Sequence, residues 1–277
     1  MKFLNGGWLI KDGFDVKYAA NIYTADIEED RLTLFCPFGS PIRNPGMTLD
    51  GGILTIEVTS PREDIITTRL INFREDRSHK PAFALDEDRP QVTIEETDEA
   101  WTFTSGRTSL RIAKGETIDF LYSYDGSPIA HSGWRAKALV TDPDGALHVS
   151  EQLDLGVGEK IYGLGERFTN FVKNGQSVEI WNEDGGTGTE QAYKNVPFYM
   201  SNRNYGLFVD NPGKVEFEIG SEKVSRVQFS VPGQEMTYSV IGRGNMKELL
   251  ANYTALTGRA PLVPYWSYGL WLSTSFT

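Results

Sequence analysis

Residues 161–200 read IYGLGERFTNFVKNGQSVEIWNEDGGTGTEQAYKNVPFYM, a segment in which two apolar stretches enclose a long polar one. From Trp181 to Asn195 the residues follow neither the helical nor the strand period, and most are glycine, threonine, asparagine or acidic. This pattern predicts a long loop over residues 181–195. Trp181 and the run 196–200 are apolar, so we expect each to anchor one end of the loop in a core.

The polar side chains of this predicted loop favour a carbohydrate ligand. Loops of this length in a compact domain usually carry a function or are disordered, and anchors at both ends favour order. An ordered loop can aim several hydrogen-bonding groups at one polar ligand, and sugars are ligands of that kind. The candidate groups are Asn182, Glu183, Asp184, Thr187, Thr189 and Gln191.

The glycines at the start of the segment do not indicate a nucleotide site. Gly163 and Gly165 do not complete a dinucleotide fingerprint, because Phe168 occupies the place of the third glycine and no helix follows. A sharp turn from a strand into a loop is the better interpretation. We interpret Glu166 and Arg167 as a structural ion pair or as an anchor of the loop.

Three motifs in this region carry a resemblance to a known family. They are GLGERF at 163–168, WNEDGGT at 181–187 and YKNVPFY at 193–199. Together they resemble the N-terminal domain of glycoside hydrolase family 31, and within that family the α-xylosidases most closely. The similarity is specific from about Leu153 onward and continues to YGLWLSTSFT at 268–277.

This resemblance implies a fold, an activity and the positions of the catalytic residues. It implies a galactose-mutarotase-like supersandwich, followed by a (β/α)8 barrel that carries both catalytic aspartates beyond Thr277. The intact enzyme would release α-linked xylose from the non-reducing ends of oligosaccharides with retention of configuration, through a covalent glycosyl-enzyme intermediate. It would need no metal or organic cofactor and would form a homo-oligomer. The resemblance therefore places no catalytic residue in this chain.

The same resemblance assigns two substrate-binding candidates. Asp184 matches the acid of the family's loop that reaches over the barrel mouth and binds sugar hydroxyls; the alternative is an acid that only holds a turn. Phe276 would end the first barrel strand and line the sugar pocket, since barrel sites form at the C-terminal ends of strands; the alternative is a core aromatic. Asn182 and Thr187 have the same two interpretations as Asp184.

Composition excludes several other classes of function. The 277 residues carry 38 acids and 27 bases, a formal net charge of −11 without a basic stripe, which argues against nucleic acid and anionic membrane as partners. Cys36 is the one cysteine, so an intrachain disulfide is excluded and burial in a strand is expected. We find no signal peptide and no membrane-spanning stretch, and therefore expect a cytoplasmic protein.

The residues before and after the segment predict a mainly β chain. Short alternating runs separated by Gly, Pro, Asp or Asn extend from Trp8 to about Val231 and predict an antiparallel β-sandwich domain over residues 1–243. Two consecutive runs, 215–219 and 227–231, are long enough to be central strands of one sheet.

Residues 244–277 predict a linker helix and the start of a second domain. The helix is indicated by apolar residues at helical spacing, a capping pair and a following glycine: Met246, Leu249, Leu250 and Tyr253; Asn245 and Glu248; Gly258. Residues 266–276 are apolar on both alternating faces, which is typical of a strand in a parallel sheet or barrel. We interpret them as the first strand of a catalytic barrel. The barrel would be truncated, because a (β/α)8 barrel needs about 250 residues and the sequence ends at Thr277.

Three other functions stay open at this point. An α-glucosidase of the same family would differ mainly in barrel residues. A non-catalytic carbohydrate-binding or assembly module would fit the aromatic content of 12% but not the apolar tail. Aldose epimerases have a related sandwich but use a histidine with an acid, and His79, His131 and His148 have no paired spacing.

Overall fold

Antiparallel strands are the main secondary structure of the described chain. The structure is a computed structural model that describes residues 1–48, 51–74, 83–183 and 188–272. In these ranges the strands are β1 (Leu4–Asn5), β2 (Leu9–Ile10), β3 (Asp15–Tyr18), β4 (Thr24–Ile27), β5 (Leu32–Pro37), β6 (Ile53–Thr59), β7 (Ile65–Ile71), β8 (Val92–Glu96), β9 (Ala100–Ser105), β10 (Thr108–Ala113), β11 (Phe120–Tyr124), β12 (Ser127–Ser132), β13 (Ala138–Thr141), β14 (Leu147–Asp154), β15 (Ile161–Gly163), β16 (Gln176–Ile180), β17 (Phe198–Ser201), β18 (Tyr205–Val209), β19 (Val215–Ile219), β20 (Arg226–Pro232) and β21 (Glu235–Gly242). One α-helix, α1 (Met246–Thr257), and 3₁₀ helices at Pro45–Thr48 and Tyr265–Tyr268 complete the described elements.

Three large sheets and one hairpin contain all of these strands. The eight-stranded sheet has the order β15-β17-β18-β21-β7-β6-β5-β4, the six-stranded sheet β16-β19-β20-β14-β13-β3, and the five-stranded sheet β12-β11-β10-β9-β8. Strands β1 and β2 form the hairpin. The prediction of an antiparallel β-sandwich is confirmed. Strands β19 and β20 pair with each other inside the six-stranded sheet, so the prediction that they are central is also confirmed.

One continuous apolar core lies between the eight-stranded sheet and the other two. Alternate residues of each strand point into it, as in β5, where Leu32, Leu34 and Cys36 are fully buried. Cys36 is therefore buried in a strand as predicted, and burial raises the pKa of its thiol to about 12. The sheets thus cover each other's inner faces, and ligands are left with the outer faces and the loops.

Helix α1 covers part of the outer face of the eight-stranded sheet. Leu249 and Leu256 are buried against apolar residues of β7, β18 and β21. The Asn245 side chain accepts a hydrogen bond from the Glu248 N–H at 3.1 Å, so the predicted N-cap is confirmed. Leu250, predicted on the apolar face, is instead 47% exposed. No helix in the described ranges combines the length and the apolar character that crossing a bilayer requires.

The predicted barrel strand does not have strand geometry in its described part. Residues 265–268 form a 3₁₀ helix, and residues 269–272 continue without regular structure. Trp266, Leu270 and Trp271 are exposed. A strand exists only when a neighbour satisfies its backbone N–H and C=O groups, and no strand of the described chain lies beside this segment. Whether residues 266–276 form a strand in a barrel therefore stays a prediction.

A buried polar network crosses the core between the sheets. Lys137 and Glu151 form an ion pair at 3.2 Å with side chains that are almost completely inaccessible to solvent. The Glu151 carboxylate also accepts hydrogen bonds from Ser132 at 2.7 Å and from Tyr238 at 3.1 Å. An unpaired charge at this depth would cost several kcal/mol. Side chains of all three large sheets thus share one satisfied network, because Tyr238 also approaches Tyr122 at 3.3 Å.

His131, on the edge strand β12 of the five-stranded sheet, links this sheet to the end of β14 in the six-stranded sheet. Its Nδ1 lies 2.6 Å from Asp154 at the end of β14, and its Nε2 lies 3.0 Å from Asp119 just before β11. The hydrogen bond to Asp154 raises the pKa of His131, and the bond to Asp119 adds to this effect against the opposing effect of partial burial. With a carboxylate at both nitrogens, the protonated ring is favoured because only that form donates from both.

The stability contributed by this bridge is predicted to depend on pH. Because the pKa of His131 is raised in the folded state, its contribution to the free energy of unfolding is fully present below the ordinary histidine pKa of 6.5. This contribution is lost as the pH rises through the pKa of the folded state. We therefore expect His131→Gln to lower the melting temperature at pH 6 and to lower it less at each step towards pH 9. The measurement is the thermal melting of both proteins at each pH; a constant difference would contradict the prediction. Arg111→Gln, at an exposed side chain of the five-stranded sheet, is the control.

Candidate functional site

The loop predicted at 181–195 is present, and its described parts are residues 181–183 and 188–195. Residue 182 forms a bridge with residue 192, which brings the two arms of the loop together. The predicted site residues Asp184 and Thr187 lie outside the described residues, and so does Phe276. Their roles therefore stay predictions.

The Arg167 side chain forms hydrogen bonds at the base of this loop. Its guanidinium donates to the carbonyl oxygens of Leu164 at 3.1 Å and Glu190 at 2.9 Å, and also to the Glu179 carbonyl and the Asn195 side-chain oxygen. Burial lowers the pKa of the Arg167 guanidinium, which nevertheless stays charged because arginine does not deprotonate in proteins. The prediction that Arg167 anchors the loop is confirmed.

Asn195 completes the clamp from the other arm. Its side-chain amide donates to the carbonyl oxygens of Trp181 at 2.7 Å and Ala192 at 2.9 Å and to the Asn182 side chain at 3.0 Å. Its backbone N–H donates to the same Asn182 oxygen at 3.1 Å. Two side chains, Arg167 and Asn195, therefore hold both ends of the loop at fixed positions. We call this pair the loop clamp.

Two glycines let the backbone approach the loop closely enough for the clamp to form. Gly163 and Gly165 have φ of 112° and 90°, and the intervening Leu164 has φ of 66° with a fully buried side chain. A Cβ at Gly165 would lie 2.1 Å from the Lys194 carbonyl oxygen. The predicted sharp turn from strand to loop is confirmed, and the reason for glycine is contact with the loop's backbone.

Glu166, predicted together with Arg167, has a different and smaller role. It pairs with Lys194 at 3.4 Å, but both side chains are more than two-thirds exposed. Exposed pairs of this kind contribute about 0–1 kcal/mol. The guanidinium of Arg167 is therefore the anchor of the loop, and the Glu166 pair adds little.

The two ends of the loop differ from each other. At the C-terminal end, Phe198 and Tyr199 are buried, so the predicted apolar anchor is confirmed. At the N-terminal end, the prediction was wrong, because Trp181 is 51% exposed. The backbone of Trp181 is held by the Asn195 amide rather than by burial of the indole. The indole is thus free to form part of a surface.

Trp181 borders two clefts. On one side, a cleft of about 520 Å³ is walled by Phe83, Leu85, Phe208 and Tyr253 and is largely apolar. On the other side, a smaller cleft of about 320 Å³ is acidic and is lined by Glu179, Glu183, Glu190, Glu216 and Glu218. An aromatic side chain beside carboxylates suits a sugar, whose C–H face packs on the ring while its hydroxyls donate to the acids.

The polar groups of the described loop are used mainly within the loop. Asn182 serves Asn195, and Gln191 donates to Glu183 at 2.5 Å. Of the three histidines, His131 and His148 each pair with carboxylates of the sandwich, and His79 lies outside the described residues. Within the described ranges, no group of His, Cys, Asp or Glu has an arrangement suited to a metal ion. Among the described residues, these contacts fix the position of the loop.

Comparison with known proteins finds a matching family model and several relatives. The family model described as the glycosyl hydrolase 31 N-terminal galactose mutarotase-like domain matches residues 55–218. Alpha-xylosidase XylQ of Lactiplantibacillus pentosus is 45% identical over all of this chain, which covers 36% of that protein. The alpha-xylosidase of Emericella nidulans is 41% identical, again over all of this chain and over 38% of its own length.

A more distant relative is named for a different activity. Alpha-glucosidase 2 of Bacillus thermoamyloliquefaciens is 28% identical over 79% of this chain and 28% of its own length. Among solved structures, the cycloalternan-forming enzyme of Listeria monocytogenes, in complex with a pentasaccharide substrate, superposes with a TM-score of 0.77 at 21% identity. The superposition covers 93% of this chain and 24% of the Listeria enzyme, and it shows that the two proteins share a fold.

The loop clamp predicts a specific effect of Arg167→Lys. Lysine keeps the charge but donates from one nitrogen, so it cannot reach acceptors on four different residues. We expect amide hydrogen exchange at residues 188–195 to become faster by roughly tenfold or more, because hydrogen bonds to charged groups are lost. Glu166→Gln, which removes the exposed pair with Lys194, is the matched control and should leave exchange almost unchanged. Equal exchange in the wild type and Arg167→Lys would show that the clamp does not hold the loop.

Gly165→Ala tests the close approach of the two backbones. Gly175 also has a positive φ, of 82°, but a Cβ there would meet nothing within 4 Å. Gly175→Ala should therefore cost only the conformational strain, about 1–3 kcal/mol, whereas Gly165→Ala adds a steric clash with the Lys194 carbonyl and should cost clearly more. Denaturant unfolding of the two variants measures this difference. If the two variants lose the same stability, the contact with Lys194 has no energetic weight.

Proposed function

Since this chain belongs to glycoside hydrolase family 31, we propose that it supplies the substrate-contacting loop of a retaining α-xylosidase. The observation that carries the proposal is the loop at 181–195, held at its base by Arg167 and Asn195 with the Trp181 indole exposed beside two clefts. Support for xylose comes from two α-xylosidase relatives that align with the whole chain. The chain spans only 36–38% of their length, so the activity is proposed for a longer protein.

The proposed reaction releases α-linked xylose from the non-reducing end of an oligosaccharide. A carboxylate attacks the anomeric carbon while a carboxylic acid protonates the leaving oxygen, and water then cleaves the glycosyl-enzyme intermediate, so configuration is retained. We place both catalytic carboxyl groups on a (β/α)8 barrel that follows residue 277. In this chain, Asp184 would accept hydrogen bonds from sugar hydroxyls and Phe276 would line the pocket.

The C-terminal segment supports a barrel as the intramolecular partner. Large apolar side chains at 262–272 are exposed, among them Leu262 at 98%, Tyr265 at 93% and Leu270 at 89%. Monomeric soluble proteins rarely leave a contiguous apolar surface of this kind uncovered. Phe83 and Trp181 are also exposed. We propose that the barrel covers the 262–272 segment, that the enzyme is a homo-oligomer, as the family resemblance implies, and that it is cytoplasmic.

An α-glucosidase is the second candidate. The 28% identical α-glucosidase relative supports it, because that protein aligns over most of this chain. The two sugars differ by one hydroxymethyl group, and the residues that accept or exclude this group would lie largely on the barrel. The family membership disfavours the third candidate, a non-catalytic carbohydrate-binding or assembly module.

The test is hydrolysis of p-nitrophenyl α-xyloside and α-glucoside by the product of the complete reading frame that contains this chain. We expect the longer protein to hydrolyse the xyloside faster than the glucoside. We expect no turnover by residues 1–277 alone, because we place both catalytic carboxyl groups beyond residue 277. In the longer protein, Asp184→Ala should lower kcat/KM by about tenfold or more, the effect of losing a hydrogen bond to a charged group.

Three outcomes would contradict parts of this proposal. A clear preference for the glucoside would favour the second candidate. Turnover by residues 1–277 alone at a comparable rate would place the catalytic carboxylates in this chain. Asp144→Ala, at an exposed turn acid of the sandwich, is the matched control, and an equal loss in both variants would remove the specific role proposed for Asp184.

A further inference from the structure

A third cleft lies on the outer face of the eight-stranded sheet, beside α1. Outward-facing residues of β7 and β21 change along the strands from apolar, under the helix, to polar beyond it. Strand register places Thr59, Thr67 and Ser239 in one row across β6, β7 and β21. The hydroxyls of Thr67 and Ser239 are 2.7 Å apart. The floor of this cleft is thus a row of hydroxyl groups on three paired strands.

The walls of the cleft are held by hydrogen bonds. Residues 85–90 form one side, where Asp88 and Arg89 donate their backbone N–H groups to the Pro61 carbonyl at 2.9 and 3.2 Å. Arg62 pairs with Asp88 at 2.6 Å on the same side. The volume is about 460 Å³, within the range of roughly 300–1,000 Å³ typical of small-molecule sites. The cleft is therefore formed before any ligand enters it.

Among the partly buried charged side chains that line the cleft, those of Arg31 and Asp210 have no partner within the described ranges. Arg31 makes no ion pair with any described residue, and its Nε is buried without a hydrogen-bond acceptor there. The Asp210 carboxylate, on the opposite side, likewise has neither a hydrogen bond nor an ion pair within the described ranges. Partial burial, with the nearby charge of Glu87, raises the pKa of Asp210. A buried donor and a half-buried acceptor without partners indicate a missing polar group between these walls.

We propose that this cleft is a second binding site, for a neutral saccharide. A hydroxyl group both donates and accepts, so a saccharide lying along the cleft can pair with the Arg31 donor at one end and with the Asp210 acceptor at the other. An anion would satisfy Arg31 but meet the negative charges of Asp210 and Glu87, and a cation would leave Arg31 unpaired. The chemical class follows from this balance of donors and acceptors and does not rest on the proposed enzymatic activity.

The site is separate from the loop at 181–195. Asp210 and Leu85 also border the apolar cleft beside Trp181, so they form the wall between the two clefts. The residues described as lining the polar cleft include no aromatic side chain on which a sugar could stack. Binding there depends on hydrogen bonds, and we expect it to be weaker than binding to an aromatic platform.

The experiment is a titration of residues 1–277 with D-xylose, D-glucose and maltose, followed by ligand-observed NMR. We expect saturable binding of at least one sugar, weakened about tenfold or more in Arg31→Met and in Asp210→Asn, since each loses a hydrogen bond to a charged group. Arg111→Met, at an exposed arginine of the five-stranded sheet, should bind as the wild type does, and Trp181→Ala shows how much of the binding belongs to the proposed substrate loop. Circular dichroism and thermal melting establish that each variant is folded.

The controls separate this inference from the proposed function. Sugar binding that is lost in Trp181→Ala but kept in Arg31→Met and Asp210→Asn would overturn the second site and leave the substrate loop intact. The absence of saturable binding in the wild type would also overturn it. If sulfate binds to the wild type and displaces the sugar, the cleft is an anion site and the saccharide assignment is wrong. Loss of binding in both cleft variants alone supports the second site whatever the enzyme assay shows.

Discussion

The need to bury the inner face of the eight-stranded sheet organises the whole chain. Side chains of alternate residues on its strands meet those of the five- and six-stranded sheets in one continuous core. An ion pair at its centre, Lys137 with Glu151, is tolerated because Ser132 and Tyr238 satisfy the carboxylate. With the inner faces used in this way, a ligand can reach only the outer faces, the sheet edges and the loops.

The loop at 181–195 shows how a polar segment becomes positioned without a core of its own. Its order depends on a half-buried guanidinium, which must find acceptors because its charge cannot be neutralised by deprotonation. Arg167 finds three backbone carbonyls and the Asn195 side-chain oxygen; Glu190 and Asn195 lie on the second arm of the loop, and Glu179 lies on the strand that leads into the first. The need to satisfy one charge thus sets the position of the loop relative to the sandwich.

The outer face of the eight-stranded sheet is divided between structure and binding. Apolar residues lie where α1 covers them, and hydroxyl and charged residues lie in the neighbouring cleft. One strand can serve both purposes because successive side chains point to opposite faces of the sheet. The residue types on the outer face can therefore vary without changing those that pack in the core. The same sheet therefore packs a core, docks a helix and presents a polar groove, while the clamped loop extends from another part of the sandwich.

Local pattern was enough to predict the sandwich, the central pair β19 and β20, the capped helix and the turn at Gly163 to Gly165, because strand alternation, capping and positive φ are properties of neighbouring residues. The motifs also indicated the family and the loop.

The exposure of Trp181, the acceptors of Arg167 and the meeting of Arg31 with Asp210 in one cleft were not predictable, because each depends on residues far apart in sequence. The 3₁₀ helix at Tyr265–Tyr268 differs from the predicted strand for the same reason: a strand requires a neighbour that an amino-acid pattern cannot supply. The sequence by itself determined which segments alternate, cap and turn, and tertiary structure alone decided which polar groups are brought together, since hydrogen bonding acts through space.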